Sequence, residues 1–218
     1  MARDREAATV RTLLERHGTT YAEEADITLR DTPSPLYRLL VLSTLLSAPI
    51  TSGVAIAAAA AISHAGMTGP RRMCDATWQQ RVDALVEGHY RRYDESTATT
   101  LGNAARLLLD DYHGDLRRLR HRADGDTSEA RALLTDFPGI GPVGADIFLR
   151  EVQGVWPEFS PYLDRKTLDG AARLDLPRSP SHLADLAGGD STTTAHLAAA
   201  LVRSALSKEV AEDVRTAA

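Results

Sequence analysis

From Leu39 to Ser63 the chain carries no charged side chain, and this stretch limits what the sequence can become. It is long enough to span a bilayer as a single helix. Ser43, Thr44, Ser47, Pro49, Thr51, Ser52 and Gly53 interrupt it, however, and its second half is mostly alanine, which is only weakly membrane-seeking. The pattern predicts two buried helices instead, over 36–46 and from Thr51 or Ser52 through 62, with Ser47-Ala48-Pro49 as the break. Two such helices need a substantial surrounding structure, and 218 residues supply one large domain or two smaller ones without disulfides. The sole cysteine, Cys74, cannot form an internal disulfide or a four-cysteine metal or iron–sulfur site, and it reads as a partly buried structural thiol.

The rest of the chain repeats the helical theme. Apolar groups at Ala8, Val10, Leu13 and Leu14 predict a helix over 5–17 with Gly18 as its stop. Residues 26–35, with Thr32-Pro33-Ser34-Pro35, read as an extended linker. A helix over 75–87 is expected to bury Trp78, Val82, Leu85 and Val86, capped by Asp75 or Thr77. The clearest amphipathic pattern, 96–112, ends at Gly114. A basic cluster at 117–122 and a polar turn at 124–128 precede helices over 129–135 and 143–152. Residues 154–161, with Trp156, Pro157, Phe159 and Pro161, read as an ordered loop. A helix starts after Asp164, and two more follow over 182–187 and 192–206. No stretch alternates as a strand does and no repeat is evident, so the expected class is all-α.

Between two of these helices lies Phe137-Pro138-Gly139-Ile140-Gly141-Pro142-Val143-Gly144. Its glycines can take positive φ, so it forms a tight helix–helix corner. The corner can be a turn and nothing more. It can also aim the backbone N–H groups of Gly139, Gly141 and Val143 outward at a helix N-terminus, an arrangement that suits phosphate. The net charge of −5 argues against a protein that coats nucleic acid on every side, but it leaves a local phosphate-binding face open.

The run from Leu134 to Asp146 resembles the helix-hairpin-helix of the endonuclease III superfamily of DNA glycosylases. Three further segments are similar to that family in the same order: Leu45-Leu46-Ser47-Ala48-Pro49, Tyr112-His113-Gly114-Asp115, and the Gly/Pro-rich loop from Gly154 through Trp156, Pro157 and Pro161 to Asp164. The resemblance covers about residues 36–173. It implies two helical domains flanking a cleft, residues 36–153 ending in the hairpin and 1–35 with 154–218 forming the other. It also implies a partner, damaged double-stranded DNA, gripped by the backbone of Pro138, Gly139, Ile140, Gly141, Val143 and Gly144. A monovalent cation, Na⁺ or K⁺, would sit on the Phe137 and Gly139 carbonyls. Asp164 would be the catalytic carboxylate, facing a base flipped out of the stack. It would stabilise the oxocarbenium-like sugar and orient water, and it can also serve as a helix N-cap. The chain is expected to act as a monomer in the cytoplasm, at the nucleoid, without membrane contact.

Three departures from the family pattern sharpen this expectation. Val143 stands where bifunctional members carry the lysine that attacks the sugar, so a monofunctional glycosylase using water is expected. The nearest lysine, Lys166, reads with Arg165 as a phosphate contact or a solvated helix start. No cysteine lies in 174–218, so no iron–sulfur cluster is expected. In this the chain is similar to the 3-methyladenine glycosylases of the family, which points to alkylated purines, stacked on aromatic faces. Trp156, Trp78, Tyr162 and Phe159 are candidates for that stacking, or are core. Pro49 replaces a glutamine that fills the space left by the flipped base. Ser47 with Pro49, or Tyr93 as an intercalating wedge, would take its place, and Tyr93 can equally be a half-buried surface residue. Arg91, Arg92, Arg71 and Arg72 would touch phosphates if they share the hairpin's face. The alternatives are a non-catalytic helix-hairpin-helix protein that binds DNA structure, and a bifunctional glycosylase/lyase of the endonuclease III kind.

Overall fold

Capping chemistry sets most of the element boundaries. The computed structural model describes residues 2–217, and every regular element among them is helical, as expected. The first helix, α1 (Ala2–His17), stops at Gly18, whose N–H returns to the Leu14 carbonyl at 2.9 Å. A single turn, α2 (Tyr21–Glu24), follows. Next, α3 (Pro33–Leu46) begins inside the predicted linker, because Pro33 occupies the first helical turn, where a missing N–H costs nothing and the fixed φ fits. Thr51 then takes the N-cap position of α4 (Ser52–His64), its side chain making no cap hydrogen bond, and the uncharged stretch is two helices packed on each other. No helix among the described residues is long and apolar enough to cross a membrane.

The helix predicted over 75–87 is two. Asp75 ends α5 (Pro70–Asp75), and Thr77 opens α6 (Trp78–Glu87). Thr77 Oγ1 accepts the Gln80 N–H while the Gln80 side chain accepts the Thr77 N–H, a reciprocal cap that fixes the break. Trp78 is consequently 41% exposed and donates its indole N–H to Thr99, outside the apolar face that Val82 and Leu85 form. The longest helix, α7 (Asp94–Tyr112), ends in two left-handed residues, His113 and Gly114. The basic cluster is α8 (Arg117–Ala123), and Asp126 caps α9 (Thr127–Thr135) by accepting from Ser128 and Glu129. The hairpin leads into α10 (Pro142–Val152). A 3-10 turn at Pro157–Phe159 precedes α11 (Arg165–Arg173), α12 (Pro180–Leu186), α13 (Ser191–Leu206) and an unpredicted α14 (Lys208–Ala217).

The chain divides into two compact units, Met1–Tyr21 with Leu149–Ala218, and Ala22–Phe148. The core of the first joins Val10 and Leu13 of α1 to Leu197 and Leu201 of α13, with Leu163, Leu174, Leu183 and Val214 around them. Here α11 and α13 nearly touch backbone to backbone, since a Cβ on Gly170 would lie 1.9 Å from the Leu201 carbonyl oxygen. The second unit is centred on α3, where Leu36, Tyr37, Leu39, Leu40, Leu42 and Leu45 are all buried.

Candidate functional site

The hairpin of the second unit is apolar underneath and bare above. Phe137 and Ile140 are buried, and Phe137 stacks on Tyr112 with ring centroids 5.6 Å apart. The Arg122 guanidinium covers the other aromatic surface of Tyr112 at 4.7 Å, and burial pushes the Tyr112 phenol above its ordinary range. Two hydrogen bonds close the corner, Ile140 N–H to the Phe137 carbonyl and Ala145 N–H to the Gly141 carbonyl, both at 3.0 Å. The corner's arms are braced by Arg131 of α9, whose Nε donates to Asp146 of α10 at 2.7 Å. On the outer surface Gly139, Gly141, Pro142 and Val143 are exposed, and Pro138 is half-buried. Among the described residues the N–H groups of Gly139, Gly141 and Val143 meet no acceptor. Three unpaired N–H groups lie at the start of an eleven-residue helix, an arrangement of the kind that suits an anion.

Gly139 is needed for this geometry. Its φ is +85°, and a Cβ there would meet Thr100 Cγ2 at 2.5 Å and Thr44 Cγ2 at 3.0 Å. Both threonines bond back to their own helices, Thr100 Oγ1 to the Ser96 carbonyl and Thr44 Oγ1 to that of Leu40. Those bonds hold the two methyls toward the corner.

Of the expected contact residues, Ser47 lies beside it. Ser47 Cβ lies 3.6 Å from where a Gly144 Cβ would be, so the end of α3 abuts the second hairpin helix. The Ser47 hydroxyl is spent on the Thr44 carbonyl at 2.8 Å, and Pro49 beyond it is exposed. Tyr93 immediately precedes α7, the helix whose Thr100 touches Gly139. Tyr93 is half-buried with the Arg92 guanidinium 5.3 Å from its ring centre, while Arg91 and Arg92 are exposed. Arg71 and Arg72 are elsewhere: they line a hollow with Leu109, His113 and Gly114, at the other end of α7. That end lies about 15–20 Å along the helix axis from Thr100, at 1.5 Å per residue.

The first unit builds its candidate site from side chains. Asp164 caps α11, with Oδ1 accepting the Thr167 N–H at 3.2 Å while Thr167 Oγ1 donates to the Asp164 carbonyl at 2.6 Å. Sequence reasoning missed its main partner, Arg150. Arg150 Nη1 donates to both carboxylate oxygens, at 3.1 Å and 3.0 Å, and the two side chains are only 9% and 12% exposed. Gln153, fully buried, frames the pair. Its Nε2 donates to the carbonyls of Arg150 and Tyr162, and its Oε1 accepts the Tyr162 N–H at 2.8 Å. The available signal was the crowding of Arg150, Glu151 and Gln153 at the end of an otherwise apolar helix. All three are buried, and Glu151 accepts the Tyr21 N–H.

Arg165 and Lys166 are exposed on the first turn of α11. Trp156 is not a surface on which a base can stack: it is fully buried, with Phe159 packed edge-on at 6.0 Å, because the indole plugs the loop that returns the chain to Asp164. Phe159 is buried likewise, whereas Tyr162 is half-buried. Among the described residues no group of His, Cys, Asp and Glu side chains could hold a metal ion.

The chain matches no known protein-family profile, and no curated protein matches it in sequence. Its structure is similar to that of a trapped endonuclease III–DNA covalent intermediate in an estranged-adenine complex. The likeness has a TM-score of 0.50 at 14% identity, over 90% of this chain and 84% of that one. At that identity it establishes the fold, which is all-α and of the endonuclease III kind.

Proposed function

We propose that this protein is a monofunctional DNA glycosylase acting on damaged duplex DNA as a monomer, with alkylated purines as its preferred substrates. The observation that carries the reading is the fold shared with endonuclease III in a DNA complex, joined to a hairpin whose free amides suit phosphate. Asp164 is the catalytic carboxylate. The C1′–N bond breaks with its electron pair leaving on the base, and a water oxygen bonds to C1′. The water's proton passes to Asp164 and then to solvent; a cationic alkylated base departs neutral and needs no proton, whereas a neutral base would take one from solvent. The carboxylate stabilises the positive charge that the sugar develops. Bases that are already cationic leave most readily from a site of this kind because they depart neutral, and Val143 offers no amine to attack the sugar and open the strand.

Phosphate contacts fall to the hairpin and to Arg91, Arg92, Arg165 and Lys166, and Ser47, Pro49 and Tyr93 fill the space left by the flipped base. The Gly139 carbonyl accepts no hydrogen bond from the described residues, whereas that of Phe137 is shared with Ile140. The two oxygens are hard donors that fit a Na⁺ or K⁺ ion, which would stiffen the corner against phosphate.

The test is a panel of duplexes carrying 3-methyladenine, hypoxanthine, uracil, thymine glycol or 8-oxoguanine, scored for abasic sites by alkali cleavage. Release of the alkylated purine, with no strand cleavage until alkali is added, is expected. Cleavage without alkali would revive the bifunctional reading, with Lys166 the first suspect. A non-catalytic DNA-binding module is the second reading, favoured by the engagement of Asp164 in a cap and an ion pair. It predicts salt-dependent duplex binding with no base released from any lesion.

A further inference from the structure

We propose that Arg150 is the positioning residue of this reaction, selecting Oδ2 of Asp164 as the oxygen that works. The inference rests on the reading of Asp164 as the catalytic carboxylate. Oδ1 takes two donors, Thr167 N–H and Arg150 Nη1, while Oδ2 takes one, the same Nη1. The Asp164 carboxylate has no further partner among the described residues. A carboxylate oxygen offers about two lone pairs, so Oδ1 is filled and Oδ2 keeps one position open.

The cap alone would not make this choice. The terminal torsion of an aspartate is broad, so a carboxylate held only by the Thr167 amide can rock about it and carry its free oxygen out of place. Arg150 removes that freedom by tethering both oxygens. The tether itself stands on a fixed frame, because the Gln153 amide binds the Arg150 carbonyl and both backbone groups of Tyr162, two residues before Asp164. At 9% exposure the guanidinium has little water to compete for its donors. Its other nitrogens make no contact to the carboxylate, so a single cationic nitrogen does the holding. A lysine, one bond shorter, can supply the same nitrogen.

The experiment compares wild type, Arg150→Met, Arg150→Lys and Asp164→Asn as full chains. It measures thermal midpoint, affinity for a duplex bearing a non-cleavable abasic analogue, and the single-turnover rate of base release. Arg150→Met is expected to lose about 10²-fold in rate through misplacement of the carboxylate, with affinity within about threefold of wild type. Arg150→Lys is expected to recover to within about tenfold of wild type. Three results would overturn the role: a folded Met variant as fast as wild type, an affinity loss as large as the rate loss, or a folded Lys variant no faster than Met. Should Met prevent folding, Arg150→Gln, a neutral donor of similar volume, is judged by the same criteria. If wild type releases no base from any lesion, the glycosylase reading and the role of Arg150 fall together. If Asp164→Asn is inactive while Arg150→Met is not, only the role of Arg150 falls.

Discussion

The hairpin of the second unit presents backbone, and the Asp164 site of the first presents a side chain, so the two respond to substitution in different ways. The hairpin's donors are amides that almost any residue would supply, and its sequence demand falls on a glycine that must fit between two threonine methyls. The Asp164 site depends on chemical identity: a carboxylate, a guanidinium and an amide, each holding the next. A substitution at the corner should therefore act through shape, weakening folding and DNA affinity together. At the carboxylate it should act through charge, changing the rate while leaving affinity in place.

The sharpest challenge to that contrast is Asp164→Asn. It keeps an acceptor for the Thr167 amide and removes the negative charge, so base release should fall by about 10³-fold or more with duplex affinity nearly unchanged. An equal loss of affinity would show that the carboxylate serves binding. Next comes Gly139→Val, which meets both the positive φ and the 2.5 Å approach to Thr100. The combined cost should be about 2–4 kcal/mol of stability, read by urea denaturation, with weaker DNA binding alongside. A Val variant as stable as wild type would mean that the corner is looser than its geometry indicates.

Val143→Lys should be milder for the fold, because Val143 is 60% exposed, and stability should stay within about 0.5 kcal/mol. It should confer strand cleavage without alkali and a borohydride-trappable adduct, seen as a slower band on a denaturing gel. Absence of both would separate this hairpin from the lysine chemistry of bifunctional glycosylases. The smallest stability effect is expected for Gly141→Ala, whose methyl meets nothing within 4 Å. Its stability should match wild type to within about 0.5 kcal/mol. If the corner's amides hold phosphate, the added methyl still weakens duplex binding, measured by fluorescence anisotropy.

Local signals account for what the sequence revealed. Pro138-Gly139-Ile140-Gly141 announces a corner because glycine alone relieves the backbone there, and Asp164 before Arg165 announces a cap. Where two local signals competed, the reading failed. Asp75 and Thr77 both look like caps for one helix, and only the Gln80 side chain closing on Thr77 shows that the chain breaks between them. Pro33 looks like a breaker although it suits a helix start, and α14, with only Ala211 and Val214 buried in it, has too thin an apolar stripe to stand out. Arg150 and Gln153 were illegible for a different reason. Polar residues at a helix end read as surface, and theirs are buried only because a ten-residue return through Trp156 and Tyr162 lays Asp164 over them, a contact that no local pattern encodes.

The pairing of Gln153 with both backbone groups of Tyr162 has a consequence for how the molecule can change over generations. It clasps the two ends of the loop 154–161, so what lies between them is insulated from the carboxylate that follows. Pro157 and Glu158 are exposed there, while Trp156 and Phe159 seal the loop's inner side. Exposed loop positions can therefore be lengthened, shortened or recoloured in charge without moving Asp164. The clasp lets the loop vary while Asp164 stays where it is.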